Sequence, residues 1–103
     1  MVARNTAINR ARSFIEECRK SGINFEKVLL FGSYAENKAH KWSDIDLLMI
    51  SDQFTDNTFN DLDLFSKINI HYPEIEVHPY SSKHFSDGDD FINEIMKKSI
   101  ELV

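Results

Sequence analysis

Two aspartates, Asp44 and Asp46, stand two residues apart inside the stretch Leu29 to Ile50, LLFGSYAENKAHKWSDIDLLMI. On a β-strand that spacing puts both carboxylates on one face, roughly 6.5–7 Å apart along the chain. Carboxylates placed so can bracket divalent cations, because a two-metal site holds its ions about 3.5–4 Å apart on shared oxygen ligands. Magnesium suits such a site, since it takes few protein carboxylates and completes its shell with water and phosphate oxygens. The plainer alternative is an edge strand with both aspartates turned to solvent. Leu48 and Ile50 continue the same face and are apolar. The pair therefore stands where a strand enters the interior, a costly place for unpaired charge. Upstream, Gly32-Ser33 closes an earlier apolar run. Glycine allows a sharp turn and a close approach of ligand to backbone. Ser33 is expected to open a short helix, Tyr34 to Ala39, whose free N–H groups would suit an anion such as phosphate.

The elements that must position these residues are short apolar runs bounded by turn chemistry. Val28 to Phe31 and Leu47 to Ile50 read as buried strands. Ahead of them, Asn5-Thr6 can cap a helix running to about Lys20, with Ile8, Ala11, Phe14, Ile15 and Cys18 on one stripe and Gly22 at its stop. After them, 51–57 is a polar loop, and Thr58 to Asn69 reads as a helix that buries Leu62, Phe65 and Ile68. Asp61 and Asp63 on that helix read as solvated surface. Ile75 to Pro79 reads as a third strand, with Glu74, Glu76 and His78 alternating against Ile75, Val77 and Pro79. Ser86 to Asp90 can cap a last helix whose apolar side is Phe91, Ile92, Ile95, Met96 and Ile100. Trp42 is expected to pack, with stacking on adenine as the alternative, and His78 reads as a hydrogen-bonded structural histidine. The order suits an α/β or α+β fold, a sheet with helices packed against it.

Gly32-Ser33, ten intervening residues, and then Asp44-x-Asp46 resemble the signature of the DNA polymerase beta-like nucleotidyltransferase superfamily. The small size points to its minimal (MNT) branch, the antitoxin partners of HEPN toxins. Ala35, Ala39, Ser43, Ile45 and Leu47 fit that family's usual spelling. The resemblance implies the nucleotidyltransferase fold, a small mixed β-sheet. It implies Gly32 and Ser33 on the phosphates of ATP, and two Mg2+ ions on Asp44 and Asp46. Glu76, enclosed by β-branched residues, becomes the third catalytic carboxylate, as metal ligand or as general base, with Glu74 as its substitute. The activity implied is transfer of AMP to a tyrosine of a HEPN-type toxin. One departure stands out. Family members commonly carry Arg-Gly after the alanine, where this chain has Glu36-Asn37, and an acid there repels a triphosphate unless Lys38, His40 or Lys41 offsets it. Two further readings stay open: an antitoxin that neutralises a HEPN ribonuclease by binding alone, and a small-molecule nucleotidyltransferase of the aminoglycoside type. The short chain leaves little surface for the pocket the last would need.

A chain of 103 residues with a formal net charge of −5 reads as one domain, 1–103. It lacks the Lys/Arg clusters that a general nucleic-acid binder uses to displace counterions, so direct nucleic-acid binding is not expected. The single cysteine, Cys18, excludes an internal disulfide, reads as buried filler and suits a cytoplasmic location. No run reaches the roughly 18–20 apolar residues of a membrane span. Arg4, Arg10 and Arg12 could mark a targeting peptide, but the helical pattern continues through them to Cys18, so they read as part of the first helix.

Overall fold

The computed structural model describes residues 4–40 and 42–103; Lys41, one of the cations expected to offset Glu36, lies outside them. The elements follow in the order α1 (Arg4–Lys20), β1 (Lys27–Phe31), β2 (Ile45–Ser51), α2 (Thr58–Asp63), α3 (Ser66–Asn69), β3 (Ile75–Ser81), α4 (Ser82–Asp87), α5 (Asp90–Lys97) and β4 (Ile100–Glu101). The sheet order is β3-β2-β1-β4. β2 and β3 run parallel, while β1 is antiparallel to both β2 and β4. The element order implied a sheet with packed helices, and the mixed strand directions are those the resemblance implied.

Alternation along the strands sorts the side chains onto two faces. One face carries Val28, Leu30, Ile45, Leu47, Met49 and Val77 into the main core, against Ala7, Ala11, Phe14 and Cys18 of α1 and against Phe65. Burial pushes the Cys18 thiol up to about 12, which fits filler and not a reactive group. The other face carries Leu29, Leu48 and Ile50, which meet Ile95 of α5, with Phe31, Tyr80 and Phe85 around them. Asp46, Glu76 and His78 belong to this second face. In the register Phe31 pairs with Asp46, Asp46 with Glu76, and Leu48 with His78. The functional face is thus apolar where α5 covers it and charged where it emerges.

The ends of α1 and its neighbours differ from expectation in instructive ways. Asn5 and Thr6 lie inside α1 and do not cap it. The three N-terminal arginines tie α1 down. Arg4 donates to the carbonyls of Tyr34 and Ala35, Arg10 pairs with Glu74 at 2.6 Å, and Arg12 donates to the carbonyl of Leu102. The expected helix 58–69 divides at Leu64–Phe65, where the bonds from Phe65 N to Leu62 O and from Ile68 N to Phe65 O tighten the winding. Phe65 is fully buried, whereas Leu62 is half exposed. Asp61 is not surface: it is 1% exposed, because the preceding loop folds back over it and Thr55 donates both its amide and its hydroxyl to Oδ1.

At the other end of the chain, Ser81 caps α4 and Asp89 caps α5. Ile92 and Ile95 are buried, while Phe91 and Met96 are substantially exposed. Ile100 does not continue the last helix. α5 stops at Lys97, and Ile100–Glu101 pair with Leu30 and Leu29 to cover the edge of β1.

Candidate active site

Asp46 and Glu76 face each other across the parallel β2–β3 pair. With His78, two residues further along β3, they form a group whose ligand atoms all lie within 4.8 Å of one another. His78 Nε2 is 3.6 Å from Glu76 Oε1 and 3.8 Å from Asp46 Oδ1. Burial raises the Glu76 carboxyl above its ordinary value. His78 opposes that rise, while the hydrogen bond and charge of Asp46 and the charge of Asp44 reinforce it. Two carboxylates and a nitrogen in one cluster form a donor set that suits a divalent cation. Asp44 precedes β2 and is exposed. It stands outside that close group but near enough for its charge to act on Glu76.

Gly32 fixes the geometry beneath Asp46. Its φ is 75°, and a Cβ built on it would lie 2.3 Å from Asp46 Oδ2. Only glycine lets the backbone pass this close to the carboxylate. The residues that follow do not form the expected short helix. They make one closed turn, in which Glu36 N donates to Gly32 O and Lys38 N to Ser33 O. Asn37 at φ 59° ends it. A left-handed residue cannot continue a right-handed helix, so the peptide groups present a turn to the site and not a helix terminus. Arg4 holds the turn from outside by its two carbonyl bonds.

A profile of the nucleotidyltransferase domain matches residues 11–102. The chain belongs to this family. The match covers the turn, both aspartates and Glu76. Among solved structures, a candidate nucleotidyltransferase from Sulfolobus solfataricus superposes with a TM-score of 0.71 at 20% identity, over 95% of this chain and 80% of that one. A toxin–antitoxin structure with AMP-PNP gives 0.62 at 18% identity, over 88% of this chain and 71% of that one. The toxin–antitoxin MntA-HpeT, in a mutant carrying two Asp-to-Glu changes, gives 0.61 at 17% identity, over 89% and 71%. At these identities the likeness is one of fold. Searched by sequence, the curated proteins yield no match.

Within this nucleotidyltransferase domain the Glu36-Asn37 departure has two separate physical meanings. Asn37 occupies a left-handed position that glycine fills freely and that asparagine tolerates better than most residues, so its backbone role is kept. Glu36 does not stand alone beside the turn: its Oε1 is 3.7 Å from Lys38 Nζ and 3.6 Å from Lys98 Nζ at the end of α5. Lys38 was among the offsets expected; Lys98 is supplied by a distant element. Gly32, Glu36, Phe91 and Lys98 line a cleft beside the carboxylates. Replacing Glu36 with glutamine should lift its repulsion and release both lysines toward bound phosphate. An ATP analogue should bind about two- to five-fold tighter at low salt, and the gain should shrink as salt rises. Titration calorimetry at two ionic strengths checks this, and an unchanged affinity would place Glu36 away from the phosphates.

The remaining site residues separate clearly. Glu74 is engaged by Arg10. Burial alone would raise its carboxyl, but the Arg10 hydrogen bond and charge outweigh that and hold it below the ordinary value. It serves to fasten α1 to the start of β3, so Glu76 and not Glu74 is the glutamate that faces Asp46. Trp42 is 78% exposed and does not pack in the core. His78 does not match the expected hydrogen-bonded structural histidine, because its Nε2 is buried without a hydrogen-bond partner among the described residues. The signal that could have found it is its spacing of two from Glu76, which puts both on one strand face.

Proposed function

We propose that this nucleotidyltransferase domain is the antitoxin of a HEPN/MNT toxin–antitoxin pair and transfers AMP from ATP to a tyrosine of the toxin. The observation that carries the reading is the meeting of Asp46 and Glu76 directly above the Gly32 turn. Gly32 and Ser33 would hold the triphosphate, and Asp46 and Glu76, with Asp44 beside them, would hold Mg2+, which when bound would neutralise phosphate charge. The tyrosine oxygen attacks the α-phosphorus, the bond to the β-phosphate oxygen breaks, and pyrophosphate leaves. Glu76, which faces Asp46 across the strand pair, is placed to take the phenolic proton. A second cleft, lined by Asp44, Leu62, Pro73 and Glu76, opens beside the carboxylates and gives an acceptor a separate approach. The fold shared with toxin–antitoxin structures, one of them with AMP-PNP, supports both the nucleotide and the partner.

Binding without catalysis is the second reading, favoured by Glu36 at the mouth of the phosphate cleft. One experiment separates the two. The Asp44→Asn, Asp46→Asn double mutant keeps side-chain shape and removes the charge that holds the metal. Co-expressed with a candidate HEPN-type toxin, the mutant should still copurify with it. The AMP adduct on the toxin should vanish from the intact mass, and toxicity should return. Full protection by a folded mutant, as judged by circular dichroism, would mean that sequestration is sufficient.

A further inference from the structure

We propose that His78 is itself a ligand, through Nε2, of the cation held by Asp46 and Glu76, and that it shifts the site's preference from Mg2+ toward ions that accept imidazole nitrogen. The inference rests on the metal-site reading above and goes beyond it. Leaving a buried ring nitrogen unsatisfied costs about 1–3 kcal/mol, and His78 Nε2 is buried without a hydrogen bond among the described residues. The carboxylate oxygens at 3.6 and 3.8 Å are too far for hydrogen bonds. Donors each about 2.1 Å from a metal, seen at 110–120°, lie roughly 3.4–3.7 Å apart; the Glu76 separation falls within that range and the Asp46 separation just beyond it.

Two aromatic rings flank the imidazole. Phe31 meets it edge-on with centroids 5.0 Å apart, and Phe91 lies 6.2 Å off on the α5 side. The β3 pleat puts His78 on the same face as Glu76, and the parallel register puts Glu76 beside Asp46. Magnesium favours an all-oxygen shell, whereas imidazole suits first-row transition ions. A nitrogen donor among carboxylates therefore strengthens binding of the latter selectively.

Pulsed electron paramagnetic resonance of Mn2+ bound to the full chain tests this directly. The wild type should show the nitrogen modulation of a directly bound imidazole, altered when the histidines are labelled with 15N. His78→Gln should abolish it and weaken Mn2+ binding about tenfold or more, with a smaller effect on Mg2+. His84→Gln should leave it unchanged, since that ring belongs to the Asp56 and Asp89 pairs on α4. Mn2+ bound by the wild type without nitrogen coupling, yet lost in Asp46→Asn, overturns the role of His78 and keeps the carboxylate site. Mn2+ bound equally well by Asp46→Asn, or not bound by the wild type, overturns both.

Discussion

Alanine at Gly32 should cut AMP transfer by about a hundredfold or more while leaving a folded protein. Two costs combine at this position. The backbone sits at φ 75°, where an L side chain pays roughly 1–2 kcal/mol. The added Cβ would also lie 2.3 Å from Asp46 Oδ2, a distance no real contact sustains, so the carboxylate must move. A displacement near 1 Å at a reacting centre is worth about 10²-fold in rate. Gly22 supplies the control: its φ is 95°, but nothing lies within 4 Å of a Cβ built there. Gly22→Ala therefore carries backbone strain alone and should lower the melting temperature without a comparable loss of transfer. Thermal melts and adduct formation by intact mass, measured on both variants, separate strain from misplacement. Equal losses of activity in the two would mean that the contact between Gly32 and Asp46 does not matter.

The features that were legible in the sequence are those whose cause is local. Short apolar runs bounded by turns disclosed β1 and β2, alternation disclosed β3, and a period of 3.6 disclosed the buried stripe of α1. A strand-entry Asp-x-Asp after a Gly-Ser turn marked the strand end where Asp46 meets Glu76 and His78. What was hidden depends on contacts across the chain. The partnership of His78 with Asp46 requires the parallel register of β2 and β3, which no window of sequence states. Lys98 reaches Glu36 only because α5 folds back over the turn. Asp61 is buried because the loop from Thr55 closes over it and donates two hydrogen bonds to Oδ1, while Oδ2 is buried without a hydrogen-bond partner among the described residues. β4 is two residues long, too short for any alternation to show. The Tyr34–Ala39 segment forms no helix because Asn37, inside it, is left-handed and ends the turn that begins at Gly32.

Asparagine at Asp46 should erase the magnesium-dependent part of nucleotide binding and lower transfer on the order of 10³-fold, yet leave the metal-free protein at least as stable. Asp46 is the carboxylate that faces Glu76 in the register and presses on the Gly32 turn. Calorimetry with a non-hydrolysable ATP analogue should show that magnesium tightens binding to wild type and does nothing for the mutant. The stability side follows from Glu76. Its folded carboxyl is raised above the ordinary 4.5 by burial, opposed by His78 and reinforced by Asp46 and Asp44. A raised carboxyl pKa stabilises the fold below the unfolded value, and that stabilisation is lost as pH rises through the folded value. Without metal, wild type should therefore weaken as pH climbs from 4.5 into the raised range. The mutant, relieved of the hydrogen bond and charge that Asp46 imposes, should weaken less. Glu76 is 54% exposed, so solvent screening keeps the difference below about 1 kcal/mol. Urea melts from pH 4 to pH 7 in chelator resolve it through the trend with pH. A mutant less stable than wild type at every pH would assign Asp46 to the fold instead of the site.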